Sequence, residues 1–130
     1  MKISLDLDGT VWHHMGFFRA FMVAMQAQGN EVGILTGHHQ DSEEFDRKLL
    51  ASHGFPSPDF YFGRSGHYLG LNGSHMKADR IISEGINFHF DDMDYGLAES
   101  ESIFIAKGVR ERVMKIDHRG RFAADAGPLE

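Results

Sequence analysis

The chain reads as an α/β fold, a mainly parallel five-stranded sheet sandwiched between two layers of helices. Two observations point there. Short β-type segments alternate with helical ones along the 130 residues, as βαβ units require. The strand-like segments also close on small or acidic polar residues, in the region where open parallel sheets bind ligands.

The elements follow in order. Ile3-Ser4-Leu5-Asp6-Leu7 alternates apolar and polar residues before Asp8-Gly9-Thr10, predicting a strand that ends at about Leu7. Residues 16–28 have helical spacing, with Phe17, Phe18, Phe21, Met22 and Met25 on one side and Gly29-Asn30 as a stop. A second strand runs from Glu31 to Leu35, and a second helix, capped by Asp41 or Ser42, extends to Ser52. Pro56 and Pro58 keep the next stretch extended before a third strand at Phe60-Tyr61-Phe62. Gly63 to Ser74 reads as a loop, Met76 to Glu84 as a helix, and Ile86 to Phe90 as a strand running into Asp91-Asp92. A short helix is expected at Tyr95–Glu99 and a fifth strand at Ser102–Ala106. Beyond Gly108 two readings stand open, a helical turn at Val109–Met114 or a hairpin around His118-Arg119-Gly120.

Composition narrows the class. The length suits one domain, residues 1–130, and 42% hydrophobic residues suffice for a core. No cysteine is present, so disulfides and thiolate zinc sites are excluded, as suits a cytoplasmic protein. Carboxylates appear too early for a secretory segment, and no apolar run approaches the roughly 20 residues of a membrane helix. A net charge of −6 argues against sequence-blind nucleic-acid binding. Lys107, Arg110, Arg112, Lys115, Arg119 and Arg121 nevertheless cluster, as a solvated face or as a dock for an anionic substrate.

The polar residues that close the predicted strands are Asp6 and Asp8, Thr36, and Asp91 and Asp92. Carboxylates gathered on one edge repel unless a cation neutralises them, and oxygen ligands without cysteine or histidine favour Mg²⁺. Lys77 supplies a fixed positive charge, Thr36 a hydroxyl, and Gly37 an N–H that no Cβ shields. These parts together make a cradle for a phosphoryl group.

At these residues the chain resembles the haloacid dehalogenase (HAD) superfamily. Asp6-Leu7-Asp8-Gly9-Thr10-Val11 resembles its first motif, Ile34-Leu35-Thr36-Gly37 its second, Lys77 its third, and Phe88-His89-Phe90-Asp91-Asp92 its acidic fourth. The resemblance implies a Rossmann-like three-layer sandwich and a Mg²⁺-dependent phosphatase. It implies Asp6 as nucleophile forming an aspartyl-phosphate, and Asp8 as the acid for the leaving alcohol and then the base for water. Thr36 and Lys77 would hold phosphoryl oxygens, and Gly37, His38 and Thr10 would contact the substrate. Asp6, the Asp8 region, Asp91 and Asp92 would hold the metal. Asp8 separates the chain from dehalogenases, which lack this second Asp, and from transport ATPases.

Family members commonly insert a cap domain between these motifs. Here 25 residues separate Thr10 from Thr36, and 40 separate Thr36 from Lys77, which leaves no room for one. An open site suits a macromolecular phosphate, such as a polynucleotide end or a phosphoprotein, or a small substrate if a partner subunit closes it. The spacing from Lys77 to Asp91-Asp92 is similar to that in the phosphatase half of polynucleotide kinase-phosphatases, which adds nucleotides and nucleic-acid ends to the expected substrates. Sugar phosphates stand beside them.

The pairs His13-His14 and His38-His39 follow the first two motifs and are expected near the site rim. Trp12, Phe17 and Phe18 either stack on a base or pack in the core, the latter being favoured. Receiver domains share an acidic cluster, Thr and Lys, but carry the phosphoacceptor at the end of the third strand. Here that strand ends in Phe62-Gly63-Arg64.

Overall fold

All the strands of the sheet are parallel, and their order is β3-β2-β1-β4-β5 in the computed structural model, which describes residues 1–93 and 97–116. The elements alternate: β1 (Lys2–Leu5), α1 (Met15–Ala27), β2 (Glu31–His39), α2 (Glu43–Ser52), β3 (Tyr61–Arg64), α3 (Gly73–Ser83), β4 (Phe88–Asp91), α4 (Leu97–Ala106) and β5 (Val113–Lys115). From β1 the chain steps outward to β2 and β3, then returns through α3 to lay β4 on the other side of β1. That reversal puts the topological switch between β1 and β4, where the carboxyl ends of the strands open a crevice.

Strand alternation divides the core. Ile3, Leu5, Val32 and Ile34 pack with Phe18 and Met22 of α1 and Leu50 of α2. Leu35 and Val113 pack with Met76, Ala78 and Ile81 of α3 and Phe104 of α4. Adjacent residues Ile34 and Leu35 thus serve opposite faces, as the two-residue strand period demands. Helices cover both faces, which gives the expected three layers.

Several boundaries differ from the sequence reading. β1 ends at Leu5, because Leu7–Val11 forms a wide turn. β2 continues past Leu35 to His39, with a register shift against β3 between those residues. The expected loop at 63–74 holds the end of β3, a short turn at Gly66–Tyr68 and the first residues of α3. Asn72 starts that helix early by accepting the Ser74 N–H at 2.8 Å on its side chain.

The expected strand at Ser102–Ala106 is instead part of α4, and the fifth strand is Val113–Lys115. A short apolar run rich in Ile and Phe suits either a strand or a buried helix, and here Ile103 and Phe104 face inward while Ile105 is exposed. A short 3-10 turn at Arg110–Arg112 lies within the helical turn read at Val109–Met114 but stops before Val113, where β5 begins. The hairpin at His118-Arg119-Gly120 lies outside the described residues. Among the described residues no helix is long and apolar enough to cross a membrane.

Candidate functional site

The end of β1 is fastened to β4 by the Asp6 N–H, which donates to the Phe90 carbonyl at 2.9 Å. The chain then makes a wide turn, in which Val11 N–H reaches Asp6 O and Trp12 N–H reaches Leu7 O, both at 3.2 Å. Within it Gly9 has φ of +78°, a conformation glycine takes without strain. A Cβ on Gly9 would sit 2.2 Å from Asp92 Oδ2, so the bare backbone is what lets Asp92 approach. Thr10 is fully buried, with its hydroxyl 3.5 Å from Asp6 Oδ2. It therefore backs Asp6 from inside and is not among the residues lining the cleft, where a substrate contact was expected of it.

Asp6, Asp91 and Asp92 converge, with one carboxylate oxygen from each lying within 4.8 Å of the others. Lys77 enters from the first turns of α3 and donates to Asp6 Oδ1 at 3.0 Å and to Asp91 Oδ2 at 2.6 Å. Asp91 also accepts from His89 at 2.8 Å and from the Met93 N–H at 2.9 Å. Burial alone would favour its neutral form, but Lys77 and His89 hold it well below the usual carboxylate range. Burial and the Asp91 charge push Asp6 well above that range, against the pull of Lys77. Burial and the same charge raise Asp92 to about 6. Lys77 stays cationic, because its two carboxylate partners outweigh its own burial.

His89 was not foreseen as a site residue. It is completely buried, bonded to Ser4 Oγ at 2.7 Å through Nδ1 and to Asp91 through Nε2. Burial lowers its pKa, so the ring is neutral, donating to Asp91 and accepting the Ser4 hydroxyl proton. A lone histidine in an apolar strand gives no sign of this. The pairing appears only when β4 lies beside β1.

On β2, Thr36 is buried and its hydroxyl accepts the His38 N–H at 3.2 Å, while Thr36 and Gly37 line the cleft. Both ring nitrogens of His38 are engaged. Nε2 lies 2.7 Å from Asp8 Oδ2, and Nδ1 lies 2.8 Å from Asp46 Oδ2. Asp46 is buried on α2 and also accepts from the Tyr61 hydroxyl at 2.5 Å. Burial resists protonation of His38, but its bonds to Asp46 and Asp8 outweigh it and raise the pKa. His38 therefore reaches Asp8 while also lining the cleft, where a substrate contact was expected of it. The Asp8 carboxylate turns to His38 and does not join the three grouped carboxylates.

These groups surround a cleft of about 450 Å³ whose walls include Asp6, Asp8, Thr36, Gly37, Lys77 and Asp92. All five strand-end positions read from the sequence, Asp6, Asp8, Thr36, Asp91 and Asp92, meet there together with Lys77. His13 and Arg64 line it too, and Arg64 was not singled out from sequence. Its signal was its place closing β3, as Thr36 and Gly37 occupy the outer part of β2. Trp12 packs against His53 and Phe55, and Phe18 is a fully buried core residue, while Phe17 stacks on Phe21. None of these aromatics lines the cleft. In the basic segment Lys107 pairs with Asp79 at 2.7 Å and Arg110 with Glu101 at 3.7 Å, so these cations are tied to neighbouring helices. Arg119 and Arg121 lie outside the described residues.

No family model, curated protein or solved structure matches this chain.

Proposed function

We propose that the chain is a cap-less, HAD-type phosphomonoester hydrolase, dependent on Mg²⁺ and working through an aspartyl-phosphate. The observation that carries this reading is the convergence of Asp6, Asp91 and Asp92, the first two bonded to Lys77, in one cleft that Thr36 and Gly37 also line. The strand order is that of dinucleotide-binding sheets, but the first turn after β1 carries Asp6 and Asp8 where a glycine-rich loop would cradle a pyrophosphate. Negative charge there opposes a dinucleotide. Receiver domains order their strands 2-1-3-4-5, so both topology and Arg64 at the end of β3 stand against a phosphoacceptor domain.

The donor set fits a hard divalent cation. Three carboxylates share one small region with a single lysine, and two of them have raised pKa values. That is the electrostatic signature of a site short of positive charge. Asp6, Asp91 and Asp92 would hold Mg²⁺, which when bound neutralises the carboxylates and the phosphoryl oxygens. Buried Lys77 fixes Asp6 through one oxygen, leaving the other to attack phosphorus as the ester oxygen departs. Asp8, exposed to the cleft and steadied by His38, gives a proton to that oxygen and later takes one from the attacking water. The Thr36 hydroxyl and Gly37 N–H face the transferring group's oxygens.

Hydrolysis of p-nitrophenyl phosphate tests the proposal. Activity with Mg²⁺ that EDTA and Asp6→Asn each abolish is the expected result. Activity surviving Asp6→Asn would remove Asp6 as nucleophile.

A further inference from the structure

Among the described residues no carboxylate pairs with Arg64, a cation lining this cleft. Lys77 is held by Asp6 and Asp91, and His38 by Asp8 and Asp46. Arg64 makes no ion pair among the described residues, and its Nη1 donates only a long hydrogen bond, to the Leu71 carbonyl at 3.3 Å. Its Nε is buried with no partner at all. A guanidinium taken partly out of water with a donor unmatched is unfavourable unless an anion completes it.

Its direction is set by two glycines. Nη2 lies 2.8 Å from where a Cβ on Gly73 would be and 3.6 Å from where one on Gly37 would be. The guanidinium therefore lies between the phosphoryl edge of β2 and the first residue of α3. The Gly73 position is kept clear by having no side chain. The α3 N-terminus adds a positive dipole end, and Lys77 sits one turn further along the same helix. The cleft is polarised: the carboxylates lie on β1 and β4, and Arg64 enters from β3 at the opposite side.

The strand order fixes how far apart the backbones carrying those ends are, and the Arg64 side chain spans part of that distance to reach Gly37. β3 is two strands from β1, with adjacent strands about 4.8 Å apart, so Arg64 starts roughly 10 Å from the Asp6 strand. A phosphoryl group at Asp6 and Thr36 leaves Arg64 facing what lies beside that group. We infer that the natural substrate is a small phosphate monoester carrying a second phosphate, which Arg64 and the first turn of α3 hold next to the reacting one. The inference rests on the phosphoryl-site reading above and names its substrate class. The cleft's volume of about 450 Å³ suits a small ligand, and the chain's charge of −6 disfavours a long polyanion.

Non-hydrolysable phosphonates test this without requiring turnover. Titration calorimetry with Mg²⁺ present would compare methylphosphonate with α,ω-alkylene bisphosphonates of increasing spacer length. One spacer length should bind about tenfold or more tighter than methylphosphonate, as expected for a charge-assisted pair to Arg. Arg64→Met should erase that advantage and Arg64→Lys should keep part of it. The inference is overturned if no bisphosphonate outbinds methylphosphonate on the wild-type protein, a result that needs no variant to fold. It is also overturned if Arg64→Met weakens both ligand types equally, which would put Arg64 on the reacting phosphate. Failure of the phosphohydrolase reading shows separately, as wild-type protein that leaves p-nitrophenyl phosphate intact.

Discussion

His38 Nε2 stands 2.7 Å from Asp8 Oδ2 on a side chain that is 72% exposed. An aspartate so placed on a turn would otherwise sample several rotamers. His38 fixes one of them, and His38 is itself fixed by buried Asp46, which Tyr61 anchors from β3. The chain Tyr61–Asp46–His38–Asp8 thus runs from the core to the mouth of the cleft. A histidine that donates to Asp46 can accept a proton from Asp8 at its other nitrogen, so the contact survives with Asp8 protonated or ionised.

That geometry predicts a leaving-group effect. Asp8→Asn should slow hydrolysis of an alkyl phosphate by about 10² to 10⁴, the usual contribution of general acid catalysis. The loss on p-nitrophenyl phosphate should be smaller in the first step, because nitrophenolate leaves without a proton. His38→Ala should follow the same pattern more weakly, lowering kcat for the alkyl ester with little change in KM. Equal losses on both esters would mean that His38 and Asp8 serve binding and not proton transfer.

The same histidine predicts how stability varies with pH. Its pKa is raised in the fold above the ordinary 6.5 by its bonds to Asp46 and Asp8, which outweigh burial. The stabilisation is then fully present below 6.5 and is lost as pH rises through the folded-state value. Urea midpoints of wild type and His38→Leu, taken from about pH 5 to 9, should differ most at the acid end. A gap that widens toward alkaline pH would contradict the assignment.

The sequence was most informative where chemistry and strand ends coincide. Asp6, Thr36 and Asp91 could be placed because polar residues that interrupt apolar strands mark the ligand edge of a parallel sheet. Ser4–His89 and Asp46–Tyr61 could not, since each is a contact between residues distant in the chain whose partners alternate onto faces that only the finished sheet defines. The burial of Thr10 was not legible either, because its neighbours Asp8 and Gly9 do face the cleft while the wide turn carries it inward. The run at 102–106 misled for a different reason, since local apolar content does not distinguish a buried strand from a buried helix turn.

Mg²⁺ should stabilise the fold, and more so at neutral than at acid pH. Asp92, raised to about 6 by burial and by Asp91, binds more protons folded than unfolded between the ordinary 3.8 and that value. Its ionisation therefore works against folding as pH rises through this window, and a cation takes over from the proton above it. The rise in Tm on adding Mg²⁺ should be larger at pH 8 than at pH 5, approaching about 2.7 kcal/mol of stabilisation at 100 times Kd. Asp92→Asn should shrink the difference between the two pH values. An increment independent of pH would show that the cation binds elsewhere.

Gly9 gives the sharpest single-atom test. Gly9→Ala forces a φ of +78° on a residue with a Cβ, costing about 1–2 kcal/mol. The added methyl would also fall 2.2 Å from Asp92 Oδ2, and the Asp92 carboxylate must move to clear it. Stability should fall modestly, while the Mg²⁺-dependent rise in Tm and the phosphatase activity should fall far more. Gly16→Ala is the control, because a Cβ there meets nothing within 4 Å in α1. That change should be neutral or stabilise by up to about 1 kcal/mol, with metal response intact. If Gly9→Ala lowered Tm but kept the full response to Mg²⁺, Asp92 would not be holding the cation, and the metal site would have to be built from Asp6 and Asp91 alone.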